Sequence, residues 1–250
     1  MLDTLLHQGS GLHPIAQPQA PRALALASLG NPEDEMGLLW QLCSALGSAG
    51  YPVAVLDGNT VETEAHPGLE QLIEDAYWRP AGTDLSSTWT VMPAALGLRS
   101  LCETAHEAET PLAPLARLFG QHGVVLVYAE AGILTRLLRD SGTRPLLAIS
   151  ATGAGSTRAY ETVKRLVLEA GLMPRLTGWM DSTDPASGDA SRLQRLQQCA
   201  LRFLGCRLEA TLLPASGSTP GASDSLHRLA LRLLESAQVL SPAPSWARAH

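Results

Sequence analysis

Apolar residues along this chain fall into two alternating patterns. Short runs that are apolar at almost every position (residues 23–28, 53–56, 124–128 and 146–149) are separated by longer stretches with an apolar residue every third or fourth position. Continuous apolar runs suit strands covered on both faces, and the longer period suits amphipathic helices. The pattern predicts a strand over 23–29 and a helix over 36–49 with its stripe at Met36, Leu39, Trp40, Cys43 and Leu46. A strand over 53–56 then ends in Asp57. A helix over 69–77, a strand over 88–92 and a helical or loop segment to about 105 follow, then a helix over 112–120. Strand 124–128, helix 133–139, strand 146–149, helix 156–170 and strand 175–179 continue the alternation. A polar loop over 181–190 leads to helix 191–204, strand 208–213, a Gly/Ser/Pro linker over 214–223 and an amphipathic helix over 225–237.

Strands alternating with helices throughout predict an α/β protein with a doubly wound, mostly parallel sheet and helices on both faces. Residues 1–22, with Pro14, Pro18 and Pro21, read as a flexible N-terminal arm; 23–240 as one α/β domain; and 241–250 as a disordered tail. The last helix carries Arg228 and Arg232 balanced by Glu235. Its pull on a membrane is weak, so packing on the sheet is the expectation and any membrane association is at most peripheral.

Composition narrows the function classes. Charged residues make up 17% of the 250, and the net charge is −6, which argues against general nucleic-acid binding. Eighteen basic residues include one lysine, Lys164. Cys43, Cys102, Cys199 and Cys206 have no C-x-x-C spacing, the seven histidines have no ligand spacing, and neither a signal segment nor a membrane span is visible. The expectation is a cytoplasmic protein with free thiols and no metal. No G-x-S-x-G elbow supports hydrolase chemistry.

The first strand, loop, helix and second strand have the layout of a phosphate-binding P-loop unit. Such a loop needs glycines whose amides cradle phosphates, a lysine on the β/γ-phosphates and a Ser/Thr on Mg²⁺. Here residues 29–36 read LGNPEDEM, with Glu33, Asp34 and Glu35 where phosphates would sit. Three adjacent acids read most simply as a solvated turn.

Further segments extend the match. Residues 89–98 (WTVMPAALGL), 125–132 (VLVYAEAG), 147–164 (LAISATGAGSTRAYETVK) and 203–205 (FLG) occur in order. With the loop, they resemble the MinD/ParA-type ATPases, and within these the regulators of flagellar number (the FlhG/FleN type), over roughly residues 7–235. The resemblance implies a MinD-like P-loop NTPase fold with a degenerate nucleotide site. Ser28 opens the loop; Gly30 takes the place of the signature lysine, Glu35 that of the P-loop lysine and Met36 that of the Mg²⁺-binding threonine. Asp57 ends the second strand, Asn59 replaces the aspartate that positions the attacking water, and Tyr128 replaces the Walker B aspartate. The implied protein is a pseudo-ATPase, not an enzyme and without a cofactor, acting as a regulator or scaffold in flagellar assembly, number or placement. An ordinary βα turn would have the same outline.

Flagellar regulators of this type carry an N-terminal D-Q-A-x-x-L-R element that engages a flagellar signal-recognition-type GTPase (FlhF). Residues 7–13 (HQGSGLH) match it at Gln8 and Leu12, which implies a partner-binding arm. An oligomer is compatible with the family.

Two alternatives stay open. Gly153, Gly155, Ser156 and Arg158, between a strand and a helix, form a candidate anion turn. Arg158 replaces the third glycine of a dinucleotide fingerprint, which argues against that ligand. With Asp57 and Glu130 at strand ends, this turn would serve a ligand-binding or enzymatic protein with a remodelled cleft. The other alternative is an ATPase completed by a partner's lysine.

Overall fold

The computed structural model describes residues 20–75, 88–104, 110–149, 155–180, 189–214 and 220–241. Among the described residues, eight strands lie in one sheet: β1 (Arg22–Ser28), β2 (Val53–Asp57), β3 (Trp89–Pro93), β4 (Val124–Glu130), β5 (Leu146–Ile149), β6 (Arg175–Met180), β7 (Glu209–Pro214) and β8 (Gln238–Val239). The order is β3-β2-β4-β1-β5-β6-β7, parallel throughout. β5 pairs with β1 only at Leu26 and Ala27, and β8 runs antiparallel beside the start of β1 at Arg22 and Ala23. The apolar pattern did not reveal β8, because two residues after a helix carry no periodicity.

Alternation along the strands divides the core. Ala23, Ala25, Ala27, Val125, Val127 and Ala129 face one side, where α2 (Leu69–Glu74), α3 (Ala95–Thr104), α4 (Ala113–Leu118), α5 (Ala131–Leu137), α6 (Gly155–Ala170) and α7 (Asp189–Leu204) pack. Leu24, Leu26, Val53, Val55, Leu126 and Tyr128 face the other, covered by α1 (Pro32–Ser48) and α8 (Pro220–Glu235). Successive side chains of a strand point to opposite faces, so this parity decides which residues of β1 and β4 can meet α1.

Several helices begin earlier than their apolar stripes. α1 starts at Pro32, four residues ahead of Met36, so the acidic run belongs to its first turn. Proline suits the first helical position, and acids favour the N-terminal end of the macrodipole. α8 starts at Pro220, inside the segment read as a linker, α7 at Asp189 and α5 at Ala131. The segment after Pro93 is helical. Polar first turns hide helix starts from a reading based on hydrophobic period.

α8 packs on the sheet. Leu229, Ala230, Leu233 and Leu234 join the core beneath it, while Leu231 is 42% exposed. Among the described residues, no helix is long and apolar enough to cross a membrane. Leu229→Ala should therefore lose about 2–5 kcal/mol in urea unfolding, whereas Leu231→Ala should stay within about 0.5 kcal/mol of wild type.

Candidate functional site

The C-terminal edge of the parallel strands is where open α/β sheets place their sites. β1 ends in Ser28, and the chain turns through Leu29, Gly30 and Asn31 before α1 begins. Gly30 has φ +78°, a left-handed conformation that favours glycine, and a Cβ there would lie 2.9 Å from the Arg158 guanidinium.

This turn holds the side chain of Glu35, which is only 2% exposed. The Leu29 amide donates to Oε1 at 2.7 Å and the Asn31 amide donates to the same oxygen at 3.3 Å. Ser28 Oγ donates to Oε2 at 2.9 Å, and the Tyr128 hydroxyl makes a short hydrogen bond to the same oxygen. The Gly30 amide points inward as well, donating to Ser28 Oγ at 3.1 Å. Three consecutive amides and two hydroxyls thus converge around one carboxylate. Converging backbone amides of this kind form an anion-binding concavity. A buried carboxylate is tolerated when its lone pairs are met by donors, and each Glu35 oxygen receives two.

Parity explains the meeting. Ser28 and Tyr128 share the face of Leu26 and Leu126, beneath α1, and Glu35 descends from the first turn of that helix. β1 and β4 are in register, with Leu26 beside Tyr128 and Ser28 beside Glu130. Burial, followed by the hydrogen bond to Glu35, raises the Tyr128 pKa well above the ordinary phenol value.

The remaining predicted site residues divide. Met36 packs against the apolar core under α1. Asp57 lies beside Tyr128 in the sheet register, but its carboxylate serves its own turn: Oδ1 accepts from the Asn59 amide at 3.0 Å and Oδ2 from Thr60 Oγ1 at 2.6 Å. Asn59 itself is exposed. Gly58, between them, donates its amide to the Tyr128 carbonyl at 2.7 Å, and a Cβ there would come within 2.8 Å of Ala129 Cβ. In the candidate anion turn, Gly155 begins α6, Ser156 is exposed and Arg158 donates to the Leu29 carbonyl at 3.2 Å. Gly153 lies outside the described residues, as do Gln8 and Leu12 of the N-terminal arm.

The solvated turn expected for Glu33, Asp34 and Glu35 is corrected at one position. Glu33 is exposed, but Glu35 is buried in the loop. A second buried acid went unnoticed in the sequence. Glu62, 4% exposed, accepts from the Leu96 amide at 2.7 Å and the Gly97 amide at 2.9 Å in the first turn of α3. It lies 35 residues from Gly97, so no local spacing announces it.

On the opposite side of the loop, an open cleft of about 300 Å³ shares Ser28, Leu29 and Gly30 and continues to Glu130 and to Arg158 and Arg165 of α6. Arg165 pairs with Glu169 at 3.0 Å.

Neither a family model nor a curated protein matches the sequence. Solved structures do match its fold. A chain of the MinC:MinD cell division protein complex of Aquifex aeolicus superposes with a TM-score of 0.55 at 10% identity, over 85% of this chain and 95% of that one. The fold is that of the MinD/ParA-like P-loop NTPases. A ParA family ATPase from Chlorobium tepidum TLS gives 0.54 at 11% identity, over 85% and 98% of the two chains. Cobyrinic acid a,c-diamide synthase from Mycobacterium smegmatis gives 0.53 at 15% identity, over 86% and 94%.

Tyr128→Phe removes one of the four donors to Glu35. It should lose about 1.5–3 kcal/mol at neutral pH, the range for a hydrogen bond to a charged group. Because the folded-state pKa of Tyr128 is raised, the folded protein keeps this proton after the unfolded chain releases it near pH ~10. Wild-type stability should therefore fall as pH rises above that point, and the gap to Tyr128→Phe should narrow. Urea unfolding of both proteins from pH 7 to 11 measures it.

Proposed function

We propose that this chain is a non-catalytic regulator or scaffold on a MinD/ParA-like fold, a pseudo-ATPase that works through protein–protein contacts. The observation that carries the reading is the Glu35 carboxylate within the loop amides. A phosphate at this loop would need the same Leu29 and Asn31 amides and would face a buried negative charge. At an effective dielectric of ~20, that repulsion is on the order of a few kcal/mol per unit charge at contact distance. Met36 offers no oxygen for Mg²⁺, and Tyr128 donates to Glu35 at the Walker B position. Mg·ATP therefore does not fit this loop as it stands, and no catalytic step is assigned to it.

The flagellar part of the proposal, control of assembly, number or placement, rests on the FlhG/FleN-like order of sequence segments. The named Aquifex aeolicus structure is a complex of MinC with MinD, so a protein of this fold assembles with a protein partner. For this chain the proposed partner is a flagellar signal-recognition-type GTPase of the FlhF kind, engaged through Gln8 and Leu12. The cleft beside Arg158 and Arg165 favours a second reading, a ligand-binding protein that uses this side of the loop.

Thermal unfolding with and without millimolar Mg·ATP, ADP or GTP tests the central statement. A ligand of the native state raises its melting temperature, so no shift is expected. A rise of several degrees would overturn the pseudo-ATPase reading. In pull-downs with the flagellar GTPase, Gln8→Ala should capture less than wild type, and equal capture would remove the arm from the proposal.

A further inference from the structure

We infer that two copies of this chain pair face to face, with the basic surface of α7 in each copy seated on the acidic ends of α2 and α3 in the other. Charge is divided along the sequence. Residues 1–110 carry fourteen acidic and three basic residues, and 111–250 carry ten acidic and fifteen basic. The fold turns that division into two ends of one surface. On one side of the sheet α2 packs on α3, α3 on α5, α5 on α6 and α6 on α7. The acidic α2 and α3 therefore stand at the β3 edge, and the basic α7 stands at the β7 edge.

The basic end is built on α7 and the turn after it. Residues 190–208 contain four arginines and no acid. Arg195, Arg202 and Arg207 are exposed. The next acid, Glu209, is already paired with Arg144 at 2.6 Å and Arg175 at 3.3 Å. Between these arginines in sequence, Leu201 and Phe203 are 49% and 65% exposed, and a cleft of about 250 Å³ borders Leu201, Arg207 and Leu208. Exposed apolar side chains rimmed by charge mark an association surface. At the other end, Glu74 in the last turn of α2, Glu103 in the last turn of α3 and Glu64 are exposed, with Arg99 offsetting one of these charges. Among the described residues, none of the three acids forms an ion pair. An acid in the last turn of a helix opposes the macrodipole. Helix stability does not account for Glu74 or Glu103, whereas a cationic partner does.

The topology lets the two surfaces meet. α2, α3 and α7 each follow a parallel strand, so they run back against the strand direction and finish toward the N-terminal edge of the sheet. A two-fold axis along the strands turns one helical layer over onto the other and exchanges its edges. The last turns of α7 then face those of α2 and α3, and the same contact occurs twice in a closed dimer. The loop that holds Glu35 lies at the opposite, C-terminal edge of the sheet. The inference goes beyond the pseudo-ATPase reading and fails separately from it, because stabilisation by Mg·ATP tests that reading and self-association tests this one.

Sedimentation velocity of the full-length chain over a concentration series tests it. Wild type should pass from monomer to dimer, and the dimer should weaken about tenfold or more between about 0.1 and 1 M salt, where the screening length falls from about 10 to 3 Å. Arg195→Glu/Arg202→Glu and Glu74→Arg/Glu103→Arg each set like charges against one another, and each alone should stay monomeric. Mixed together, the two variants should form a heterodimer. A chain that carries all four substitutions should dimerise again, because each reversed surface meets the other. Damage to the fold would not produce that rescue. The salt series on wild type needs no variant, so it carries the test if a reversal does not fold. Wild type that stays monomeric, a dimer indifferent to salt or to either reversal, an assembly that grows beyond two copies, or variants that do not rescue one another overturns the inference. Monomeric wild type that binds phosphatidylglycerol vesicles or duplex DNA, and loses that binding in Arg195→Glu/Arg202→Glu, overturns it as well by assigning the arginines to a membrane or a nucleic acid.

Discussion

A carboxylate removed from water must find donors for its lone pairs, and Glu35 finds all of its own within seven residues and one neighbouring strand. That requirement organises the end of the sheet where a site would lie. It turns the loop amides inward, draws the Ser28 hydroxyl down from the strand end and brings the Tyr128 phenol from β4 to the first turn of α1. One negative charge thus ties three segments of chain together. The same donors cannot serve an outside anion while Glu35 is present. Glu62 meets the same kind of demand at the first turn of α3, where the backbone amides of Leu96 and Gly97 donate to a carboxylate from the segment that follows β2. At both places an anion preference of the fold is satisfied from within the chain.

The contact also depends on sheet parity. Ser28 and Tyr128 lie 100 residues apart and meet because both fall on the α1 side of adjacent, in-register strands. A one-residue slip of either strand would turn its hydroxyl to the opposite face of the sheet and leave the carboxylate without one of its four donors. The buried apolar runs on either side of the sheet make such a slip costly. The geometry of the loop is therefore underwritten by core residues along the strands, such as Leu24, Leu126 and Val127.

The apolar runs made the central strands legible because a parallel strand buried on both faces cannot be polar. The MinD-like order of segments was legible for the same reason, since it is carried by the framework. The position of Glu35 in the loop was legible too, but its direction was not. An acid flanked by two others reads as solvated unless the hydroxyls that hold it are known, and Tyr128 becomes a partner only once β4 is placed beside β1. Helix starts at Pro32, Asp189 and Pro220 were hidden by polar first turns, and Glu62 by its distance from α3. The losses of signal share one cause. Hydrophobic period reports which face is buried, whereas capping and anion binding are decided by a few polar atoms brought together by topology.

Leu29 shows how far this local chemistry reaches. Its amide is held by Glu35 from α1, and its carbonyl accepts from Arg158 of α6. These two helices cover opposite faces of the sheet. The residue is therefore clamped from both sides, and a displacement of the loop must disturb a hydrogen bond on each. In a fold whose loops sit at the ends of strands, such a clamp mechanically links the cleft of Arg158 and Arg165 to the buried carboxylate. Gly30 completes the link, because its left-handed backbone and missing side chain let the Arg158 guanidinium lie against the turn. A larger residue at this position would push the guanidinium away and separate the two faces. The loop is thus a joint between α1 and α6, held by the charge of Glu35 on one side and by the reach of Arg158 on the other.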